Sequence, residues 1–330
     1  MMAPSRRLIV SVSLLVIAIL MLAIASLCSG AVTLDLAQVF NALTGSAPHA
    51  VTMVVTEWRL PRVAMAMLVG AALGVSGAIF QSLMRNPLGS PDVMGLNTGA
   101  WSGVLVAMVL FGQHLTAITV TAMTGGILIA LVIWLLAWRN GIDTFRLIII
   151  GIGVRAMLMA FNTWLLLQAS LETALSAGLW YAGSLNGLTW GKVWPAAPLI
   201  LLMFIAALLL VRRMRLLEMG DDSACALGVG VERSRLMLML VAVLLTAAAT
   251  AIAGPISFIA LVAPHIVRRV SGTARWGLTQ AALCGSMLLL AADLCAQRLF
   301  MPYQLPVGVV TVSLGGIYLI VLLVQESRKK

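Results

Sequence analysis

Ten predominantly apolar runs recur along the chain, and they restrict the fold more than any other feature. They lie at about residues 8–27, 60–84, 98–112, 115–138, 147–168, 193–211, 236–253, 256–267, 277–297 and 306–324. A helix needs about 20 apolar residues to cross a bilayer, and most of the runs approach or exceed that length. The sequence therefore predicts an all-α, polytopic membrane protein with about ten transmembrane helices, forming a single transmembrane domain over residues 1–330.

Two of these runs, 98–112 and 256–267, are too short for a complete crossing. Irregular backbone is tolerated at membrane depth where it is buried in protein, so both runs predict broken or re-entrant helices. The first run is interpreted as an uncleaved helix, because it exceeds the apolar core of an ordinary secretory signal. A short surface helix is expected after it, with Thr33 as its N-cap.

Composition excludes most soluble functions. Hydrophobic residues make up 62% of the chain and charged residues 10%, whereas soluble proteins carry about a quarter charged residues. The sequence has no phosphate-binding loop, dinucleotide fingerprint or nucleophile motif, and its four cysteines and three histidines lack metal-ligand spacing. We therefore expect no catalytic residue, no metal site, no bound cofactor and no nucleic-acid partner.

The positions of the cations predict the orientation. If the first helix leaves the cytoplasm, 16 of the 21 Lys and Arg residues lie in cytoplasmic segments and four lie outside. Cytoplasmic segments of membrane proteins carry the excess of Lys and Arg. Both termini of the chain are therefore expected in the cytoplasm.

The remaining cation, Arg155, lies inside an apolar run. It follows Arg146 by nine residues, which places it about 14 Å along a helix from the inner surface. An ionised group at this depth normally faces a cavity or a partner. Two interpretations remain open: an internal ion pair, with Asp293 as a candidate acid, or a positive charge that faces an anionic ligand in a cavity.

The longest polar interruption is the segment 212–235, which contains nine charged residues. Its glycines are expected to divide it into two short amphipathic helices, with Asp221 and Asp222 favourably placed after Gly220 at a helix N-terminus. An ordinary cytoplasmic loop is one interpretation. A docking surface for a soluble cytoplasmic partner is the other.

Five motifs, in this order, resemble the permeases of iron-siderophore and cobalamin ABC importers, the FecCD-type family. They are R-L-P-R at 59–62, G-A-A-L-G-V-S-G-A-I-F-Q at 70–81, R-N-P-L-G-S-P-D at 85–92, G-P-I-S-F-I-A-L-V-A-P-H-I-V-R at 254–268 and L-P-V-G at 305–308. The resemblance covers nearly the whole chain. Within the family it is strongest to permeases for ferric enterobactin that pair with a second, homologous permease.

This resemblance implies a type II importer fold like that of the cobalamin importer permease, and a set of partners. These are a second permease subunit (a heterodimer or a homodimer), two copies of a cytoplasmic ATPase that uses ATP-Mg, and a periplasmic siderophore-binding protein. It also implies that residues 215–235 contact the ATPase. The coupling residues within that segment are Leu216, Glu218, Gly220, Asp221, Asp222, Leu227, Gly228 and Gly230.

Further residues carry implied roles. Arg59 and Arg62 match family arginines that bind glutamates of the binding protein, although snorkelling to lipid headgroups is the alternative. The third family arginine coincides with Gln297, so only the adjacent Arg298 is available for that role. Arg155, with Asp143, Thr144 and Phe145 before it, is assigned to the translocation path and its cytoplasmic gate, although a plain loop turn is an equal alternative for those three.

The expected function is thus passage of a ferric siderophore, ferric enterobactin in particular, through an ATP-driven importer. A cobalamin or haem importer of the same fold is one alternative. A stand-alone secondary transporter is another, but it would require paired intramembrane acids for ion coupling, for which Asp293 is the main candidate.

Overall fold

The computed structural model describes residues 4–30, 32–92, 94–112, 114–138, 144–271, 277–301 and 303–327. Within these ranges the chain forms fourteen α-helices and one π-helical turn, Val54–Arg59, and no strand. The α-helices are α1 (Pro4–Cys28), α2 (Leu36–Leu43), α3 (His49–Met53), α4 (Leu60–Met84), α5 (Leu96–Leu110), α6 (Leu115–Ala137), α7 (Thr144–Gln168), α8 (Leu171–Tyr181), α9 (Trp190–Glu218), α10 (Asp221–Ala226), α11 (Val231–Ala253), α12 (Ile259–Ser271), α13 (Leu278–Arg298) and α14 (Val307–Ser327).

Each of the ten apolar runs forms a helix, which confirms the all-α membrane architecture. Among the described residues, seven helical stretches are long and apolar enough to cross a membrane: α1, the stretch from α3 to α4, α6, α7, α9, α11 and α13. The number of complete crossings is therefore only approximately ten. The two short runs correspond to α5, with 15 residues, and α12, with 13 residues.

The surface helix that follows α1 begins later than predicted. Asp35, and not Thr33, is the N-cap of α2, and its backbone N–H donates to the Gln38 side chain at 2.9 Å. Reciprocal capping of this kind satisfies a backbone N–H that would lack a partner at the helix start. The prediction was wrong by two residues because Gln38 stands three residues after Asp35.

Helix α4 lies at the centre of the bundle, where α9, α11, α12 and α13 pack against it. The contact is close because small residues face each other. A Cβ atom added to Gly77 would lie 1.7 Å from the Ala260 carbonyl oxygen of α12, and one added to Gly70 would lie 2.4 Å from the Gly285 carbonyl oxygen of α13. Small residues allow helices to approach in this way within a membrane.

Helix α11 ends at a non-helical break, and the short helix α12 begins after it. The break begins at Gly254, with φ 71°, and ends at Phe258, also with φ 71°. A left-handed backbone is uncommon for a bulky residue such as Phe258. The Ala253 carbonyl at the break accepts the Ser184 N–H at 2.7 Å, so neighbouring backbone satisfies a group that the interruption exposes.

Side-chain contacts group the helix ends into two opposite faces. On one face, Asp221 binds both Arg85 after α4 and Arg235 near the start of α11. On the same face, Glu218 at the end of α9 binds Ser82 of α4. The start of α4, the end of α13 and the residues before α14 meet on the other. This grouping agrees with the alternation assumed in the cation count. We refer to the two faces as the inner face and the outer face.

Candidate transport path and docking faces

Arg62 on the outer face is held by a buried carboxylate. Its Nε donates to Asp293 Oδ2 at 2.9 Å and its Nη2 to Asp293 Oδ1 at 2.8 Å. The Asp293 side chain is fully buried and that of Arg62 is 14% exposed. Two parallel charge-assisted hydrogen bonds make this pair geometrically specific, and it joins the start of α4 to α13.

This pair decides one of the alternatives left open by the sequence. Asp293 was a candidate acid for Arg155, but it binds Arg62 and also accepts a hydrogen bond from Gln297 Nε2 at 2.8 Å. The Arg155–Asp293 interpretation is therefore wrong. The two residues were matched on charge alone, and the structure places Asp293 near the outer end of α13.

The other two outer arginines also bind groups within the chain. Arg59 donates to the Leu27 carbonyl at 2.6 Å and to the Val32 carbonyl at 2.5 Å. Arg298 donates to Ser29 Oγ at 2.6 Å. These contacts connect the end of α1 to the outer face. Docking of a binding protein by the three arginines stays a prediction.

Beside these arginines lies a cavity of about 220 Å³. Its lining includes Arg59, Arg62, Gln297 and Gln304 together with Trp58. The outer face therefore presents a polar depression with two guanidinium groups on its wall, which suits an acidic group electrostatically.

Arg155 lies on the exposed side of α7, near the middle of the bundle. A Cβ atom added to Gly95 would lie 3.0 Å from the Arg155 Cβ, so the start of α5 packs directly against α7 at this point. Asp92 belongs to the same link, three residues before Gly95.

The proposed gate residues are only partly described. Asp143 lies outside the described residues, and Thr144 is described as the first residue of α7 but without its side chain. The Phe145 side chain is 72% exposed. A role in a gate stays a prediction for all three.

On the inner face, the segment 215–235 contains one separate short helix, where two were predicted. Helix α9 continues through Leu216 to Glu218, and only α10 stands between it and α11. The residues at the end of α9 are good helix formers, so the helix continues up to Gly220. Gly220 has φ 113° and precedes the two acidic residues in the first turn of α10.

Asp221 fastens this segment to the bundle. It accepts from Arg85 Nη2 at 2.6 Å and from Arg235 Nη2 at 2.8 Å. Glu218 accepts from Ser82 Oγ at 2.7 Å. Both carboxylates therefore connect α9 and α10 to the inner end of α4.

Several other residues of the segment are exposed to solvent on the inner face. Met219 is 66% exposed and Leu227 is 60% exposed, and Asp222, Gly228 and Gly230 are also exposed. Apolar side chains that are exposed beside charged residues, outside the spanning helices, are typical of a protein–protein contact. In the described part of the chain, no group of three or more His, Cys, Asp or Glu residues could hold a metal ion.

Sequence and structure comparisons identify the family of this bundle. Residues 16–325 match the FecCD transport family. The chain belongs to the FecCD transport family. This FecCD chain is 81% identical over 330 residues, 100% of both chains, to the ferric enterobactin transport system permease protein FepG of Escherichia coli K12.

More distant matches agree with that membership. The chain is 37% identical over 320 residues, 96% of its length and 92% of the relative's, to the achromobactin transport system permease protein CbrC of Dickeya dadantii 3937. A solved structure of an inward-facing, metal-chelate type ABC transporter matches with a TM-score of 0.84 at 26% identity, covering 94% of this chain and 97% of the other. These findings confirm the resemblance and the permease fold.

Several residues of this FecCD chain escaped the sequence analysis. Asp92 was noticed only as the last letter of a motif, and Arg85 and Arg235 only as positive charges. A signal for Asp92 existed, because an acid between two apolar runs is rare in a chain with only 11 acidic residues. No comparable signal could have paired Arg62 with Asp293, which are 231 residues apart.

Proposed function

We propose that this chain carries a ferric siderophore, ferric enterobactin, across the bacterial inner membrane as the permease subunit of an ABC importer. The observation that carries the proposal is the 81% identity to FepG over the full length of both chains. At this level of identity, the transport path and its cargo are expected to be shared.

The complete importer contains further subunits. A second, homologous permease forms a heterodimer with this chain, and a periplasmic binding protein delivers the siderophore to the outer face. A pair of cytoplasmic ATPases binds ATP-Mg and supplies the energy. The support within this chain is the cavity beside Arg59 and Arg62 on the outer face and the exposed Met219, Asp222 and Leu227 on the inner face.

Energy from the ATPases reaches the path through the segment 215–235. Asp221 is bound to Arg85 at the end of α4 and to Arg235 on α11, and α4 packs against α12 and α13. A displacement of α10 would therefore move the end of the central helix α4 and the start of α11. Both termini lie in the cytoplasm in this arrangement, as the cation count predicts.

Arg155 supplies the electrostatic attraction for the cargo on this path. A ferric tris-catecholate is strongly negative, and a guanidinium remains charged at any physiological pH. The exposed position of Arg155 on α7 leaves its guanidinium accessible from outside the isolated subunit. In the dimer, this side of α7 lines the translocation path.

Uptake of labelled ferric enterobactin tests the proposal in cells that lack their own ferric enterobactin permeases but retain the other importer components. The partner permease is supplied together with this chain. The natural chain restores uptake, Arg155→Gln lowers it by about tenfold, and Arg155→Lys retains part of it, because one charge-assisted contact is worth about 1.5–3 kcal/mol. Lys192→Gln is the control, since Lys192 is a cation on α9 near the outer face. Uptake by Arg155→Gln equal to that of the natural chain, at equal protein levels, would refute the cargo role of Arg155.

A further inference from the structure

A second cavity lies between the outer ends of four helices. Its volume is about 330 Å³, which is in the range of small-ligand sites. Helices α6, α8, α9 and α11 supply its lining, to which α7, the helix that carries Arg155, contributes no described residue. The cavity is therefore separate from the position assigned to the cargo.

The wall of this cavity is mainly apolar. Its lining includes Met123 of α6, Leu199 of α9 and Ile252 of α11. Trp180 of α8 also lines it, and the Trp180 ring stacks on that of Trp101 at a centroid distance of 5.7 Å. Because contact between apolar surface and water is unfavourable, such a wall favours a hydrocarbon ligand.

The cavity extends along the helices from the outer face toward the middle of the membrane. On α9 its lining runs from Gly191 to Leu199, which is about 12 Å along the helix. On α6 it runs over a similar distance, from Thr116 to Met123. The hydrocarbon core of a bilayer is about 30 Å thick, so the cavity spans most of one leaflet.

The helices around the cavity leave much of their surface uncovered. The spanning stretch of α6 is 28% buried within the chain and that of α9 is 22% buried. Val120, which lines the cavity, is 59% exposed, and Leu202 of α9 is 58% exposed. The cavity therefore opens toward the apolar outside of the subunit, from which a lipid chain has direct access.

Lys192 gives the cavity its charge, since it is the charged residue among those that line it. In the described part of the chain, no carboxylate pairs with its ammonium group. The first turn of α9 contains no acidic residue, and the start of a helix carries a partial positive charge. The positive potential at this end of the cavity is therefore uncompensated, which favours an anionic group there.

Two tryptophans place Lys192 at the level of the lipid headgroups. Trp190 Nε1 donates to the Thr56 carbonyl on the outer face at 2.7 Å. The Trp194 side chain is 70% exposed, and its ring lies 6.0 Å from that of Trp190. Tryptophans concentrate where the hydrocarbon core meets the headgroups. The ammonium group therefore lies at the depth of a lipid phosphate.

We propose that this cavity binds an anionic phospholipid of the outer leaflet, with one acyl chain along Met123 and Leu199 and the phosphate at Lys192. The aliphatic stem of a lysine can lie on apolar surface while its ammonium group contacts the headgroup. Helix α11 packs against both α6 and α9, and the chain fills the space that these three helices leave between them. The bound lipid stabilises their outer ends without contacting the cargo.

Native mass spectrometry of the purified, delipidated importer tests the proposal, with phosphatidylglycerol and phosphatidylethanolamine added separately over a concentration series. The natural importer binds phosphatidylglycerol about tenfold more tightly than the zwitterionic lipid. Lys192→Gln lowers the affinity for phosphatidylglycerol by about tenfold and removes this preference, because a contact between charged groups is lost. Lys192→Arg retains the preference.

An exposed cation at the inner end of the same helix provides the matched control. Arg212→Gln removes the same charge far from the cavity, and it changes the affinity for phosphatidylglycerol by less than about twofold. Equal affinities of the natural importer and the Lys192→Gln variant for phosphatidylglycerol overturn the site.

A pair of glycine variants tests the place of the acyl chain. Gly191 lines the cavity, and a Cβ atom added to it would lie 3.8 Å from Thr189 Oγ1. Gly191→Leu therefore fits without a backbone clash, occupies part of the cavity and lowers the affinity for both phospholipids by about fivefold. Gly178→Leu on α8, where an added Cβ meets no atom within 4 Å, leaves both affinities unchanged. Equal binding by these two variants overturns the assignment of the chain to this cavity.

Two further outcomes would identify a different occupant. Inorganic phosphate does not displace phosphatidylglycerol if the acyl chain contributes to binding, so displacement by phosphate at equal concentration would show a simple anion site and overturn the lipid. Absence of tightly bound phosphatidylglycerol from the complete importer would show that another subunit covers the cavity, and would also overturn the proposal.

Discussion

Helices α4 and α7 are both apolar enough to cross a membrane, yet their surroundings are opposite. The stretch that contains α4 has a mean hydropathy of 2.1 and is 78% buried within the chain, whereas α7 has a mean hydropathy of 1.6 and is 17% buried. Helix α1 has the higher value of 2.8 and is also only 17% buried. Hydropathy therefore identifies the spanning helices but not the central one.

The difference lies in the small residues. Lipid tails and leucine side chains are equally apolar, so burial between helices depends on close packing. Gly70, Gly74 and Gly77 of α4 all meet neighbouring backbone, whereas Gly153 of α7 has no atom within 4 Å of an added Cβ. Helix α4 is thus the packing centre of the subunit, whereas most of α7 is uncovered within this chain.

The largest effect is expected at Gly77. A leucine there places a Cβ atom 1.7 Å from the Ala260 carbonyl oxygen, and because this neighbour is backbone it cannot rotate away. Gly77→Leu lowers the yield of monodisperse protein in detergent by about tenfold. The matched variant Gly153→Leu keeps the natural yield. Equal yields from the two variants would contradict the contrast between α4 and α7.

The next largest effect is expected where α4 meets α13 on the outer face. Asp293→Ala leaves the Arg62 guanidinium mostly buried without a carboxylate, and it lowers the free energy of unfolding by about 3–5 kcal/mol. Denaturation in a graded series of SDS concentrations measures the loss.

An exposed acid provides the control for Asp293. Asp222→Ala, on the inner face, changes the same free energy by about 0.5 kcal/mol or less. A loss of stability no larger for Asp293→Ala than for Asp222→Ala would show that the buried pair does not hold α4 against α13.

The smallest effect on stability is expected from alanine substitutions at two methionines that differ in burial. Met65 on α4 is 0% exposed and Met157 on α7 is 76% exposed. Met65→Ala costs about 2–5 kcal/mol because it opens a cavity, whereas Met157→Ala changes the stability of the isolated subunit by about 0.5 kcal/mol or less. The same SDS titration compares them, and similar losses for both would show that α7 is packed as tightly as α4.

The sequence predicted the features that repeat along the chain. The ten helices follow from the length and hydropathy of the runs, and the two short runs form the short helices α5 and α12. Whether either helix is re-entrant stays a prediction. The position of Arg155 within α7 followed from counting residues after Arg146, because a helix has a fixed rise per residue.

The features that the sequence did not predict depend on contacts between distant segments. Asp293 was predicted as a possible partner of Arg155 because both are ionisable residues in apolar runs. In the structure, the partner of Asp293 is Arg62. The surroundings of Asp92 were not predicted because its hydrogen-bond partner Asn97 is held by Thr250 on the distant α11. Hydropathy and spacing describe each helix alone, so they cannot specify which charges meet.

The left-handed Phe258 connects the break before α12 to the last helix. A Cβ atom added to Gly315 of α14 would lie 2.3 Å from the Phe258 ring, so this ring fills the notch that the missing side chain leaves. A rotation of α14 that moved Leu314 into the place of Gly315 would drive its side chain into the ring. Rotation of α14 is therefore sterically coupled to the position of Phe258 at the start of α12.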